Sequence, residues 1–398
     1  MGFNFKLFFR LTYWAIFKNK NTHGRLTPRR IRALLLWYIV FPFYNILTWI
    51  CFFLDDIFYP QYRRQEIKEP VFIIGNFRSG STLLQRLLAR DEGVFTSMKT
   101  WEIYVAPSII QRKILLLGAA IDRRFLGGFF LRFVDRFDAR RLRTLPIHSI
   151  SLFEVDEDEG VLLHNWTSSF LIFIYPFIEA LGPYLYFDTK LSKEEQRKAM
   201  KFYYGCIQRH VYFHGGRRYI SKNPASSVKI EAFRDYFIDP KFIYLVRNPV
   251  DMLASKTSYF SYIWSYFGEP TERYPFRDVI LDFTKHWYNY PLERLSQIPS
   301  KDYLILEYND LVEKLEVSVK SIYSHFGIPV SEDFGRTLEK AVEESAKFIS
   351  KHQYSLAEMG YTPEQVYSQY KDVFERFNFD LDGKAMVAQV SDYEAVID

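Results

Sequence analysis

The stretch VFIIGNFRSGSTLLQRLL, residues 71–88, decides the fold. Its apolar, β-branched beginning is typical of a strand buried on both faces, as in a parallel sheet. The leucines of its second half recur on one stripe of a helix. Between the two, Gly75 and Gly80 allow a tight turn that brings backbone N–H groups and a helix N-terminus to an anion. The stretch therefore predicts an α/β fold with a P-loop-like parallel sheet flanked by helices.

The loop GNFRSGST differs from the nucleoside-triphosphatase loop, G-x-x-x-x-G-K-[ST], at an important position. Both glycines and Thr82 are present, but Ser81 stands where the lysine is expected. Arg78 supplies the positive charge from inside the loop instead. No acidic residue stands out as a magnesium ligand on another strand. The sequence therefore argues against a metal-dependent kinase or ATPase and predicts an anion site that needs no metal.

A second anion site is predicted within KFIYLVRNPVDMLASKTSYF, residues 241–260. FIYLV reads as another strand, and Arg247 follows it directly. Pro249 suits the first turn of a helix, which puts Ser255 on the second turn, where its hydroxyl can meet the same anion. Arginine forms strong charge-assisted hydrogen bonds to phosphate.

Together the two motifs resemble those of sulfotransferases that use 3′-phosphoadenosine-5′-phosphosulfate (PAPS). FRSGSTLL resembles their 5′-phosphosulfate loop, in the branch shared by many bacterial members and tyrosylprotein sulfotransferases, and the arginine–proline–serine pattern resembles their 3′-phosphate site. The resemblance covers about residues 70–375. It implies a PAPS site formed by these residues: Arg78, Ser79, Gly80, Ser81, Thr82, Leu83, Arg247 and Ser255.

Three shorter stretches agree with this resemblance. RYISKNPASS, residues 218–227, resembles the Lys-x-Pro segment of several branches, which implies that Lys222 approaches the donor sulfate. YLILEYNDL, residues 303–311, resembles the family strand that ends in Tyr-Glu-Asp-Leu, although the order of residues differs here. Residues 350–366 resemble the C-terminal segment that closes over the nucleotide in bacterial members.

The acceptor hydroxyl benefits from a base that removes its proton. Glu102 follows the loop helix at the distance where the resembling branch places its acidic base, although a solvated glutamate is equally consistent with the sequence. His148 is the alternative, because cytosolic sulfotransferases use a histidine. The acidic run EVDEDE, residues 154–159, contains Glu157 as a third candidate. With Arg78 and Lys222, either Glu102 or His148 would complete the catalytic set.

Residues 1–65 form a predicted basic and hydrophobic membrane-associating region, followed by a sulfotransferase domain over residues 66–398. The first 32 residues contain eight lysines and arginines and no acid, and residues 33–54 carry no charge. This length can cross a bilayer. Three interpretations stay open: a single span that places the rest outside the cytoplasm, a broken or in-plane helix around Pro42, and a buried core helix.

A basic, aromatic and helical insert is predicted at about residues 105–145. Within it, residues 109–143 combine leucine and phenylalanine runs with nine basic residues against three aspartates, a pattern that suits a membrane surface. Aromatic residues make up 19% of the chain, and residues 167–178 form a further apolar run. A net charge of +5 is too small to indicate a nucleic-acid partner, and two distant cysteines indicate neither a disulfide framework nor zinc.

These observations favour a sulfotransferase that moves a sulfuryl group from PAPS to a lipophilic alcohol such as a sterol, a steroid or a membrane lipid. Two alternatives are a sulfotransferase for a glycan or a peptide tyrosine, and a membrane-bound protein that binds a nucleotide without chemistry. Because PAPS is made in the cytosol and cysteines are few, we expect a membrane-associated bacterial protein whose catalytic domain faces the cytoplasm.

Overall fold

The computed structural model describes residues 2–144, 150–345 and 356–381. Within these ranges, five parallel strands form one sheet with the order β2-β3-β1-β4-β5. The strands are β1 (Val71–Gly75), β2 (Phe95–Thr96), β3 (Arg218–Lys222), β4 (Lys241–Val246) and β5 (Tyr303–Glu307). The predicted α/β class with a helix-flanked parallel sheet is therefore confirmed.

Seventeen helices accompany the sheet in the described residues, and the first two of them precede β1 in the chain. They are α1 (Phe5–Phe17), α2 (Pro28–Phe58), α3 (Ser81–Leu88), α4 (Thr100–Tyr104), α5 (Ile109–Phe125), α6 (Phe129–Phe137), α7 (Leu171–Ile174), α8 (Ile178–Leu181), α9 (Phe187–Lys190), α10 (Lys193–Phe213), α11 (Ile230–Tyr236), α12 (Pro249–Phe267), α13 (Arg277–Leu295), α14 (Tyr308–Glu313), α15 (Leu315–His325), α16 (Glu332–Ser345) and α17 (Pro363–Phe377).

The sheet separates two hydrophobic cores. Successive residues of a strand point to opposite faces, so Phe72 and Ile74 of β1 enter the larger core, whereas Val71 and Ile73 enter the smaller one with the leucines of α3. Both faces of β1 and β4 are thus covered, which explains why their sequences are continuous apolar runs rather than alternating ones.

Helix α2 runs without interruption through Pro42. Within the described residues, it is long and apolar enough to cross a membrane. Its buried side chains share one stripe, and its other sides expose large apolar residues. The exposed ones include Leu35, Leu36, Ile39, Val40, Phe43, Ile46, Leu47, Ile50 and Phe53.

Both ends of α2 are fastened to the body that contains the sheet. Near its start, Arg30 is 1% exposed and its guanidinium donates to the carbonyl oxygen of Ile174 at 3.3 Å. Near its end, the buried carboxylate of Asp55 accepts the first two backbone N–H groups of α5, at 2.9 and 3.0 Å, and pairs with Arg209 at 2.9 Å. Helix α2 therefore lies along the body over most of its length, and buried residues of α1 and α2 belong to the larger core.

Candidate active site

The loop between β1 and α3 owes its shape to backbone conformations with positive φ. Gly75 has φ +144°, and a Cβ there would lie 2.4 Å from the carbonyl oxygen of Leu245. Arg78 has φ +68°, and Gly80, with φ +80°, directly precedes the first residue of α3. The loop thus begins close against β4 and ends at a helix N-terminus, where an anion is stabilised.

The structure brings the two sequence motifs together. Arg247 follows β4, the neighbour of β1, and its Nη1 donates to the carbonyl oxygen of Arg78 at 2.8 Å. The Nε of Arg78 in turn donates to Ser255 Oγ on α12, at 3.1 Å. Arg78 of the first motif and Arg247 of the second line one cavity at the carboxyl edge of the sheet, together with Lys222 and Glu157, whereas Ser255 does not line it. In open α/β sheets, ligands bind at this edge.

The guanidinium of Arg247 is buried and keeps unused hydrogen-bonding capacity. The residue is 3% exposed, its guanidinium carbon lies 4.1 Å from the ring centre of Tyr308, and its Nε is buried without a hydrogen-bond partner among the described residues. The hydroxyl of Tyr288 donates to its carbonyl oxygen at 2.6 Å, which fixes the backbone. No role was predicted for Tyr308 from the sequence; its position directly after β5, at the same edge of the sheet, is the signal that could have indicated one.

Lys222 and Glu157 form a buried ion pair inside the cavity. Lys222 ends β3, and its Nζ lies 2.7 Å from Oε1 of Glu157. Burial raises the pKa of the Glu157 carboxyl more than the positive charge of Lys222 lowers it, so the net pKa lies above the usual value of a glutamate. The cavity therefore contains a cation and, beside it, a carboxylate with increased proton affinity.

Glu102 lies in a different environment, since it is 1% exposed and is absent from the lining of the cavity. Its carboxylate accepts from His214 Nε2 at 2.8 Å and lies 3.5 Å from Nε of Arg112. Burial alone would raise its pKa, but Arg112 and then His210 outweigh burial and hold it well below the usual value. Glu102, His210 and His214 are close enough to share a cation, but Arg112 already supplies positive charge to this cluster.

The remaining predicted residues are placed as follows. Ser81 and Thr82 line the cavity, whereas the side chain of Leu83 packs in the smaller core. The hydroxyl of Ser79 is buried and has no hydrogen-bond partner among the described residues. His148 lies outside the described residues.

Residues 70–123 and 184–332, just over half of the chain, match the pattern that describes the sulfotransferase family. The chain belongs to this family and is a sulfotransferase. The matched part includes both predicted anion-binding motifs, β3 with Lys222, and most of α5.

Known relatives and solved structures agree with this assignment. The chain is 23% identical over 315 residues to omega-hydroxy-beta-dihydromenaquinone-9 sulfotransferase Stf3 of Mycobacterium bovis and of Mycobacterium tuberculosis, covering 78% of this chain and 75% of theirs. Its fold is similar to that of sulfotransferase STF9 from Mycobacterium avium, with a TM-score of 0.68 and 15% identity over 83% of this chain and 82% of that one. Sulfotransferase STF1 from Mycobacterium tuberculosis gives a TM-score of 0.60 and 16% identity, covering 82% and 83%.

Proposed function

We propose that the protein transfers a sulfuryl group from PAPS to a hydroxyl group of a lipophilic alcohol. The observation that carries the donor part is the meeting of Arg78 and Arg247 in one cavity. PAPS has an anionic group at each end of its ribose, and the cavity offers a loop with a helix N-terminus beside a second, partly unpaired guanidinium. This arrangement supports binding of the 5′-phosphosulfate by the loop and of the 3′-phosphate by Arg247 and Ser255.

The proposed reaction is an in-line displacement at sulfur. The acceptor oxygen forms a bond to sulfur while the bond from sulfur to the phosphate oxygen breaks, which releases 3′,5′-ADP. As in phosphoryl transfer, the transition state is loose and anionic, so positioning and positive charge do most of the catalysis. In this proposal, Arg78, Ser81 and Thr82 hold the phosphosulfate, and Lys222 stabilises the negative charge that develops on the leaving oxygen.

Glu157 is the candidate base that the geometry favours. It lines the cavity beside Lys222, and its raised pKa makes it a better proton acceptor than an ordinary glutamate. Glu102, in contrast, is held by its own network of cations, which lowers its proton affinity. We therefore propose that Glu157 takes the proton of the acceptor hydroxyl and that Glu102 holds α4, α5 and α10 together.

A lipophilic acceptor is supported by the surface of the protein and by a relative. The relatives named Stf3 act on a hydroxylated menaquinone derivative. In this chain, α2 packs on α5 and α5 on α6, and all three expose apolar side chains, as does α1. Exposed basic residues lie on the same helices or directly after them, as expected for a face that meets anionic lipids. They include Lys6, Arg10, Lys18, Lys113, Arg123, Arg124, Arg132 and Arg136.

Mass spectrometry of reactions with PAPS tests this function directly. A prenyl alcohol, a sterol, an oligosaccharide and a tyrosine peptide serve as acceptors, and both 3′,5′-ADP and the sulfated product are measured. We expect acceptor-dependent release of 3′,5′-ADP with the prenyl alcohol or the sterol. Turnover of the oligosaccharide or the peptide alone would contradict the lipophilic acceptor. Binding of PAPS without turnover of any acceptor would instead favour a non-catalytic nucleotide-binding protein.

We further propose that α2 lies in the plane of the membrane and that the catalytic body faces the cytoplasm, where PAPS is available. The attachments of Arg30 and Asp55 support this orientation, because a helix held to the body at both ends cannot leave it to cross a bilayer. Protease added to intact bacterial spheroplasts is therefore expected to leave the chain uncut, whereas lysed spheroplasts lose it. Cleavage in intact spheroplasts would place the body on the outer side.

A further inference from the structure

The side chain of Lys256, on α12, lies in the interior of the protein without an acidic partner among the described residues. The residue is 0% exposed, and its Nζ donates to two uncharged oxygens, Oδ1 of Asn76 at 3.1 Å and Oγ1 of Thr284 at 2.8 Å. Burial lowers the pKa of this amine well below the usual value of a lysine, and no charged neighbour offsets the effect. Because an amine is costly to take out of water, a position that served packing alone would be expected to hold an apolar side chain.

Asn76 connects Lys256 to the loop of the first predicted anion-binding motif. It directly follows Gly75, where β1 ends, and directly precedes Phe77 and Arg78, which line the cavity. Its Nδ2 is buried and has no hydrogen-bond partner among the described residues. The contact with Lys256 is therefore the hydrogen bond that fixes the Asn76 side chain within the part of the chain that the structure describes.

Three aromatic rings lie around the same amino group. Nζ of Lys256 lies 4.1 Å from the ring centre of Phe283 and 4.8 Å from that of Trp287, both on α13, and 5.7 Å from that of Phe77 in the loop. The rings of Phe77 and Trp287 stack on each other, with their centres 5.7 Å apart. Lys256 thus contacts the loop and α13 at the same time, through hydrogen bonds and through the faces of aromatic rings.

We propose that Lys256 is a positioning residue for the donor site: by holding Asn76 against α13, it keeps the loop in the shape in which Arg78 meets the 5′-phosphosulfate. Lys256 does not line the cavity, so it acts through the loop. The preceding residue, Ser255, accepts from Nε of Arg78 at 3.1 Å, so two successive residues of α12 contact the loop. The inference rests on the proposed function and adds a residue to its donor site.

Calorimetric binding of two nucleotides tests the proposal. Adenosine 3′-phosphate lacks the 5′-phosphate that 3′,5′-ADP would place in the loop, so the ratio of their affinities reports on the loop alone. Lys256→Met keeps the length of the side chain but removes the donor. We expect the preference of the wild type for 3′,5′-ADP to fall about tenfold in this variant, the size of effect expected for one lost buried hydrogen bond. A merely structural role would lower the melting temperature and leave the ratio unchanged.

Asn76→Ala removes the same contact from the loop side and should lower the ratio by a similar factor. The double variant Lys256→Met/Asn76→Ala should be little worse than either single variant, because all three lack one shared hydrogen bond. Lys241→Met is the matched control. Lys241 is also buried, but it begins β4 and pairs with Asp302 at the edge of the sheet opposite the cavity. This control should lose stability and keep the wild-type ratio.

Two results would overturn the inference: a Lys256→Met variant that retains the wild-type preference for 3′,5′-ADP, or effects of Lys256→Met and Asn76→Ala that add fully. If Lys256→Met yields no folded protein, the ratio measured for Asn76→Ala decides alone, and a wild-type ratio there overturns the inference as well. Wild-type protein that binds the two nucleotides equally would instead contradict the proposed donor site itself.

Discussion

An Arg247→Ala variant is expected to lose about 150- to 900-fold in kcat/KM for PAPS, equivalent to about 3–4 kcal/mol. Two losses contribute to this value. The variant lacks the charge-assisted hydrogen bonds of the guanidinium to the 3′-phosphate. It also lacks the donor that holds the carbonyl oxygen of Arg78, so the phosphosulfate loop loses a contact that determines its shape.

Nucleotide binding measured by calorimetry separates these two losses. The wild-type protein should bind 3′,5′-ADP much more tightly than 5′-AMP, whereas Arg247→Ala should bind the two nearly equally. Arg247→Lys keeps the charge but neither the planar fork nor the stacking on Tyr308, and should fall between. Arg234→Ala, at a surface arginine, serves as the control and should behave as wild type. An Arg247→Ala variant that still prefers 3′,5′-ADP would place the 3′-phosphate elsewhere.

A Glu157→Gln variant is expected to lower kcat by about 10²- to 10⁴-fold, the usual contribution of a general base, with little change in KM for PAPS. The pH profile gives the more specific test. A base works in its ionised form, so activity is present above its pKa and is lost as pH falls through that value. This loss of activity at low pH is the acid limb of the profile. Because burial raises the pKa of Glu157, the midpoint of the acid limb should lie at a higher pH than the usual pKa of a glutamate. The Glu157→Gln variant should show no acid limb.

Two further variants decide where the base lies. Glu154→Gln changes a neighbour in the same acidic run that does not line the cavity, and should keep the activity of the wild type. Glu102→Gln should lower stability, because it removes the carboxylate that Arg112 and His214 contact, but should retain the acid limb. If Glu102→Gln abolished turnover in folded protein while Glu157→Gln retained it, the base would be Glu102.

The meeting of the two predicted anion-binding motifs could be predicted from the sequence because their signals are local. The strand, the two glycines and the helix of residues 71–88 follow one another directly, and each has its own periodicity or conformational requirement. The same holds for Arg247 after β4 and for Pro249 at the first turn of α12. Parallel strands bring such residues to one edge of the sheet without further information.

The acceptor half depends on contacts between distant segments. Glu157 belongs to an acidic run that is typical of a solvated surface, yet it is buried and paired with Lys222, which ends β3 and lies 65 residues further along the chain. Similarly, Arg30 is one of several basic residues in the N-terminal flank and was expected near lipid, but it is buried against Ile174. Composition alone does not show which side of a uniformly apolar helix packs on the protein.

The attachment of α2 at both ends has a mechanical consequence. In many membrane-bound enzymes a flexible linker joins the membrane anchor to the catalytic domain, so the distance between that domain and the bilayer varies. In this chain the proposed anchor, α2, is joined to the body that contains the sheet by Arg30 and Asp55 at opposite ends of the helix, so the two would move together. The depth to which α2 sinks would then determine the height of the catalytic centre above the lipid, and with it how far an acceptor must rise to be modified.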